Sequence, residues 1–189
     1  MGSWIRPFVS TSRLGPLAKP RARSKCVSMK FSILDVVPVV SGEDATISLR
    51  SVSELAKLGD ELGYERLWYA EHHNIRSIAS AAPEVLIANA AAVTSRIRLG
   101  SGGVMLPNHA PLRVVEQYRT LEALHPGRID LGIGRAAGTD PLTAEALGTW
   151  SGSYFSNKMS ELLAFANGRF KPTHPYSNIT VTPEGGAMP

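Results

Sequence analysis

The sequence predicts an α/β fold, a parallel sheet with helices packed outside it, and three observations predict it. Short β-rich apolar runs alternate with longer stretches at helical spacing from residue 31 to residue 133. The joints leaving helices are short and plain. The joints leaving strands gather His, Gly, Asn and Arg, and ligands bind at the carboxyl ends of parallel strands in barrels and doubly wound sheets alike. Strand, helix and next strand repeated in this way make βαβ units.

Phe31 to Val37 is an apolar run closed by Pro38 and reads as a buried strand. Residues 46–62 place Val52, Leu55, Ala56, Gly59 and Leu62 at helical spacing, with Gly63 as the C-terminal cap. Arg66 to Ala70 is the second strand. Pro83 suits the first turn of a helix, where its missing N–H would have had no partner, and the Ala-rich stretch continues that helix to Val93. Ile97 to Val104 is the third strand. Pro111 opens a helix with Val114, Val115, Tyr118, Leu121 and Leu124 on one side, stopped near Pro126-Gly127, and Arg128 to Ile133 is the fourth strand. Beyond Arg135 the pattern predicts a short helix over 141–147 and another from Ser156 to Ala166. The second has Met159, Leu162, Leu163 and Ala166 inward. Residues 170–189 read as loop with one short strand, Ile179 to Val181.

A chain of 189 residues with 43% hydrophobic content can bury the core of one domain. It has no apolar run of about 18 residues, which excludes a helical membrane span. The net charge of +4 is uneven. Residues 1–30 hold Arg6, Arg13, Lys19, Arg21, Arg23, Lys25 and Lys30 and no acid; removing these seven from 20 leaves 13 basic residues against 16 acidic ones. The remainder is mildly acidic and shows no basic cluster for nucleic acid. Cys26 is the only cysteine, so neither an internal disulfide nor a Cys-based metal site forms.

Two units follow, a disordered basic leader over 1–28 and a domain over 29–189. The leader is rich in Arg, Ser and Pro and lacks a secretory h-region, which suits an organelle transit peptide. Pro7, Pro16 and Pro20 would break an amphipathic helix, and Met29-Lys30 stands directly before a strand. The preferred reading is therefore a start placed too early and a cytoplasmic protein, with organelle targeting as the alternative.

The strand-end residues suggest chemistry by their types. Glu71-His72-His73 ends the second strand, and an imidazole with a pKa near 6.5 exchanges protons close to neutrality; plain polar loop groups are the alternative. A metal site is not expected, because adjacent residues on extended chain point to opposite sides. Gly102-Gly103 suits either a bulge or close backbone approach to a ligand. Arg135 follows Gly-Ile-Gly after the fourth strand, so the motif is not the dinucleotide fingerprint, which follows the first strand. Asn108 and His109 read as caps of the helix that starts at Pro111. Trp68 and Tyr69 read as core and pocket wall.

The stretches MKFSILDVVPV (29–39), WYAEHHN (68–74) and RIRLGSGGVMLPNHAPLRVVEQYRTLEALHPGRIDLGIGRAAGTD (96–140) resemble bacterial luciferase-like flavin-dependent monooxygenases, especially the single-chain bacterial type. The resemblance runs from Met29 to about Gly138 and, less closely, over 155–183. It implies the N-terminal half of a (β/α)8 TIM barrel, about four parallel βα units, truncated. A complete barrel typically takes about 250 residues, whereas roughly 160 follow the leader. Such a half leaves strand edges unpaired and an apolar interior exposed. Weak FMN binding by an isolated monomer is therefore expected, as is either poor stability alone or completion by another copy or another half.

The same resemblance implies an enzyme that oxygenates a small organic substrate with O2 and reduced FMN, the latter supplied by a separate reductase. His72 would be catalytic near the isoalloxazine. Gly102 and Gly103 match a position that holds a non-prolyl cis peptide or a bulge against the flavin ring. Arg135 matches the arginine on the FMN phosphate, where a guanidinium fork suits the oxygens. His73 joins the cofactor-binding set, and no metal is implied. The partners implied are flavin, substrate, a flavin reductase and a homodimer that completes the barrel, with no nucleic acid and no membrane. The alternatives are a deazaflavin-dependent reductase of the same superfamily and a catalytically silent half-barrel or assembly partner.

Overall fold

Strand β2 (Arg66–Tyr69) lies between β1 (Ser32–Asp35) and β3 (Arg98–Met105), and β4 (Ile129–Gly134) pairs with the far side of β3. The three pairings among these strands are parallel, with Leu34 opposite Trp68, Trp68 opposite Gly100 and Gly100 opposite Asp130. The computed structural model describes residues 29–149 and 155–189, so the expected leader over 1–28 lies outside the described residues. The helices are α1 (Ala45–Glu61), α2 (Pro83–Ala92), α3 (Pro111–Leu124), α4 (Pro141–Ala146) and α5 (Phe155–Asn167). A single 3-10 turn, Leu106–Asn108, follows β3. The four βα units stand where the hydrophobic periodicity put them.

Local chemistry sets the boundaries. The Asp44 carboxylate accepts the Thr46 N–H at 2.8 Å and caps α1. Pro83 and Pro111 occupy the first turns of α2 and α3. Gly63 and Gly127 reverse the chain after α1 and α3 at φ +77° and +74°, a region side chains disfavour. The carboxylate of Asp60, near the end of α1, receives the N–H groups of Ser95, Arg96 and Ile97 at 3.0, 3.0 and 2.7 Å. It thereby pins the joint between α2 and β3. Burial alone would push the Asp60 carboxyl up, but these bonds and the Ser95 hydroxyl outweigh it and hold the group below the usual range.

Side chains alternate across the sheet. Leu67, Tyr69, Leu99 and Ile129 face the helices and are fully buried. They meet Val52 and Ala56 of α1, Ile87 and Ala90 of α2, Val114, Val115 and Tyr118 of α3, and Leu162 and Phe165 of α5. The opposite face carries Leu34, Trp68, Gly100, Gly102 and Gly132, and Leu34 is 62% exposed. Trp68 lies across β3 and β4 because those glycines leave room for its ring. Methyl groups on Gly100 or Gly102 would stand 2.7 or 3.0 Å from Trp68 atoms.

Three expectations need correction. Ile179 to Val181 forms no strand; among the described residues no strand pairs with it, and Val181 instead buries itself against the core while the Thr182 N–H reaches Glu116. The turns before it pack through aromatic rings, with the centroids of Phe165 and Phe170 4.7 Å apart. Leu163 is exposed and Phe165 takes the inward position on α5. Leu62 and Leu124, at the ends of their helices, are also exposed. No described helix is long and apolar enough to cross a membrane.

Candidate active site

The carboxyl ends of β2, β3 and β4 bring the singled-out residues to one end of the sheet. After Tyr69 the chain leaves β2 through Ala70, Glu71, His72 and His73. Ser80, fully buried, brackets this segment: its hydroxyl donates to the Ala70 carbonyl and its own carbonyl accepts the His72 N–H at 2.9 Å. The His72 side chain is half-buried, and its Nδ1 is buried without a hydrogen-bond partner among the described residues. The His73 N–H donates to the Gly138 carbonyl at 3.1 Å, while its ring Nε2 turns to Glu71 at 2.9 Å.

On β3, the Gly102-Gly103 peptide is cis, and the pairing register with β4 shifts between Ser101 and Val104. Gly102 is exposed. A methyl on Gly103 would stand 2.9 Å from the Gly132 backbone, so close approach of β3 and β4 requires glycine here. Arg135, just past β4, is exposed and makes no ion pair or hydrogen bond among the described residues. His72, Gly102-Gly103 and Arg135 thus occupy three consecutive strand ends.

The centre of the arrangement is Glu71, which is 0% exposed. Its Oε1 accepts His109 Nε2 at 2.8 Å, His73 Nε2 at 2.9 Å and Asn108 Nδ2 at 3.2 Å, and its Oε2 accepts the Met105 N–H at 2.7 Å. Burial would push this carboxyl up, yet the bonds from His109, His73 and Met105 prevail and hold it below the usual range. The hydrogen bond to Glu71 raises the pKa of His109 against the effect of burial. From α5, Lys158 Nζ donates to the carbonyls of Pro107 and His109 at 2.6 and 2.9 Å, and desolvation lowers its pKa. Among the described residues no group of His, Cys, Asp and Glu is arranged to hold a metal ion.

Asn108 and His109 do not cap α3. Ala110 occupies the cap position with no side-chain bond, and both neighbouring side chains turn back to Glu71. Their partner lies 37 and 38 residues earlier, so local helix-start chemistry misassigned them. The available signal was Glu71 itself, since a carboxylate at the end of an apolar strand must recruit donors.

A family model described as luciferase-like monooxygenase matches residues 29–161. The N-acetyl-S-alkylcysteine monooxygenase of Bacillus subtilis (strain 168) is 42% identical over 167 residues, covering 85% of this chain and 49% of that protein. The crystal structure of apo-MsnO8 superposes with a TM-score of 0.73 at 44% identity, covering 85% of this chain and 48% of that one. In fold alone the chain is similar to the FMN complex of the oxygenating constituent of 3,6-diketocamphane monooxygenase from Pseudomonas putida, with a TM-score of 0.64 at 24% identity. It covers 73% of this chain and 38% of that one. A coenzyme F420 dependent reductase from Methanopyrus kandleri gives 0.56 at 18% identity, with 84% and 46% covered. The chain spans about half the length of the curated relatives it matches, at 49% for the first. The four-stranded open sheet corresponds to part of a TIM-barrel architecture, and the chain belongs to the luciferase-like monooxygenase family.

Proposed function

We propose that this chain supplies the flavin-binding strand ends of a monooxygenase that uses reduced FMN and O2 to oxygenate a small organic substrate. The observation that carries this reading is the buried Nδ1 of His72, without a partner among the described residues, at the same end of the sheet as the bare Gly102-Gly103 backbone and the exposed Arg135 guanidinium. These three features fit an isoalloxazine ring with a phosphate tail. The reduced flavin supplies the electrons that activate oxygen.

The chain's own residues position and protect. Gly102 and Gly103 offer backbone without side chains for a flat ring, flanked by Leu34 and Trp68, which exclude water from it. Arg135 binds the phosphate through its guanidinium fork. His72 holds or moves a proton at Nδ1, and His73 fixes the rim through Glu71. The reduced flavin comes from a separate reductase.

A second reading is favoured by the exposure of Leu34 and by the outer edges of β1 and β4, which pair with no strand among the described residues. In it, a homodimer or a partner half covers the inner face, and the chain is an assembly unit without activity of its own. Equilibrium dialysis of the purified chain against FMN and against coenzyme F420, with the mass in solution read by light scattering, separates these outcomes. Retention of FMN by an assembled form, with little by the monomer, supports the flavin reading. Absence of FMN from every assembled form overturns it, and preference for F420 moves the chemistry to the deazaflavin class. A sub-micromolar dissociation constant for a true monomer removes the need for completion.

A further inference from the structure

We infer that Glu71 is the positioning residue of this face: one buried carboxylate fixes the loops after β2, β3 and β4 relative to one another and holds His73 and His109 as paired Nε2–H donors. What the face binds rests on the flavin reading above; the anchoring itself does not.

A carboxylate with no solvent contact is tolerated only when its lone pairs are filled. Glu71 fills them from residues 2 to 38 positions away, and every donor continues the linkage. Met105 is the last residue of β3, so its N–H ties that strand end to Glu71 directly. Asn108 also donates to the Ala137 carbonyl at 2.9 Å, reaching the loop after β4. His73 reaches the same loop twice, through its N–H to Gly138 and through its carbonyl, which accepts the Thr139 hydroxyl at 2.8 Å. The loops after β2 and β4, which carry His72 and Arg135, and the end of β3, the strand that carries Gly102-Gly103, therefore share one hub.

The hub also sets protonation. Two imidazoles meet one carboxylate oxygen, and a carboxylate only accepts, so both rings must present Nε2–H to it. Four groups face His109. Glu71 and Glu84 of α2 favour its cation, Lys158 of α5 opposes it, and His73 shares its oxygen. The raised pKa of His109 is consistent with this arrangement.

The test is NMR on the full chain with Glu71→Gln, which keeps the size and removes the charge. Three changes are expected. The His109 titration drops back toward the ordinary histidine value, exchange of the Met105 amide accelerates about tenfold or more, and the FMN dissociation constant at pH 7 rises about tenfold. In the wild type, FMN affinity falls several-fold as pH rises through the raised pKa of His109, above the ordinary histidine range, and the variant shows no such slope. A purely space-filling role for Glu71 would move none of the titration or the slope. Should Glu71→Gln fail to fold by circular dichroism, His109→Asn decides: Met105 exchange and the FMN pH slope must both change. An unchanged Met105 exchange rate and unchanged histidine titration in the folded variant overturn the inference. If no assembled form of the wild type binds FMN while the exchange and titration changes appear, the flavin reading falls and the anchor stands.

Discussion

Arg98 and Asp130 meet side by side on neighbouring strands, the guanidinium spanning both carboxylate oxygens with Nε–Oδ2 at 2.9 Å and Nη2–Oδ1 at 2.6 Å. Arg66 adds its own Nε to Oδ2 at 3.1 Å, so one carboxylate stitches β2, β3 and β4 at the amino ends of the strands, opposite the candidate site. Replacing Asp130 with Ala leaves two guanidinium groups adjacent, Arg98 with only the Gly127 and Ile129 carbonyls and Arg66 with only Glu65 at 3.6 Å. Both arginine side chains are about a third exposed, which places the expected loss near the lower end of about 1–3 kcal/mol. Urea unfolding should show a lower midpoint with an unchanged slope, and FMN binding should be altered only through stability.

Asp60 has a signed pH signature. Its folded pKa lies below the unfolded reference of 3.8, so its contribution is present above that value and lost as pH falls through the folded pKa. Asp60→Asn should therefore destabilise the chain near neutrality and flatten the loss of stability as pH falls below 3.8, read as urea midpoints across the acid range. Parallel acid profiles for variant and wild type would contradict the account.

Glycines at Gly100 and Gly63 predict opposite kinds of cost. At Gly100 an added methyl meets the Asp130 carbonyl oxygen and the Trp68 ring, each at 2.7 Å, so Gly100→Ala forces the sheet or the indole to move. A loss of about 3 kcal/mol or more is expected. At Gly63 nothing lies within 4 Å, and only the positive φ opposes a side chain; Gly63→Ala should cost about 1–2 kcal/mol. Thermal unfolding of the two variants, side by side, checks the order.

The Tyr69 hydroxyl is buried and finds no hydrogen-bond partner among the described residues, and burial, followed by the Asp35 charge, pushes its pKa upward. Tyr69→Phe should be neutral or stabilising by up to about 1 kcal/mol, because an unpaired buried hydroxyl is a cost in the wild type. A loss above that size in denaturant unfolding would show that the hydroxyl has a partner.

Arg135→Ala should weaken FMN by about tenfold or more and leave riboflavin nearly unchanged, since only FMN carries the phosphate. Fluorescence titration with both flavins reads the difference directly. Equal weakening of both would remove Arg135 from the phosphate.

Much of the scaffold was legible because its signals are local. Prolines at first turns, glycines after helices and alternating apolar residues need no knowledge of distant partners, and they located the four strands of the sheet. The link from Glu71 to Asn108 and His109 was not legible, because its physics is a buried charge recruiting donors across β3. Asn-His before Pro also satisfies the simpler capping pattern. The segment from Ile179 to Val181 failed for the reverse reason. Its residues favour strand, but a strand needs an adjacent ladder, and here the chain settles on α3 instead. His72, Gly102, Gly103 and Arg135 were singled out through a resemblance, and the fold places them at neighbouring strand ends.

The strand order β1-β2-β3-β4 follows the order of synthesis. Of the described strands, each of β2, β3 and β4 finds its partner already made, one helix earlier. Assembly of this kind can advance on a nascent chain as it leaves the ribosome, with loop closures limited to about one βα unit each. The growing edge is the newest strand, and among the described residues the first strand's outer edge pairs with no strand.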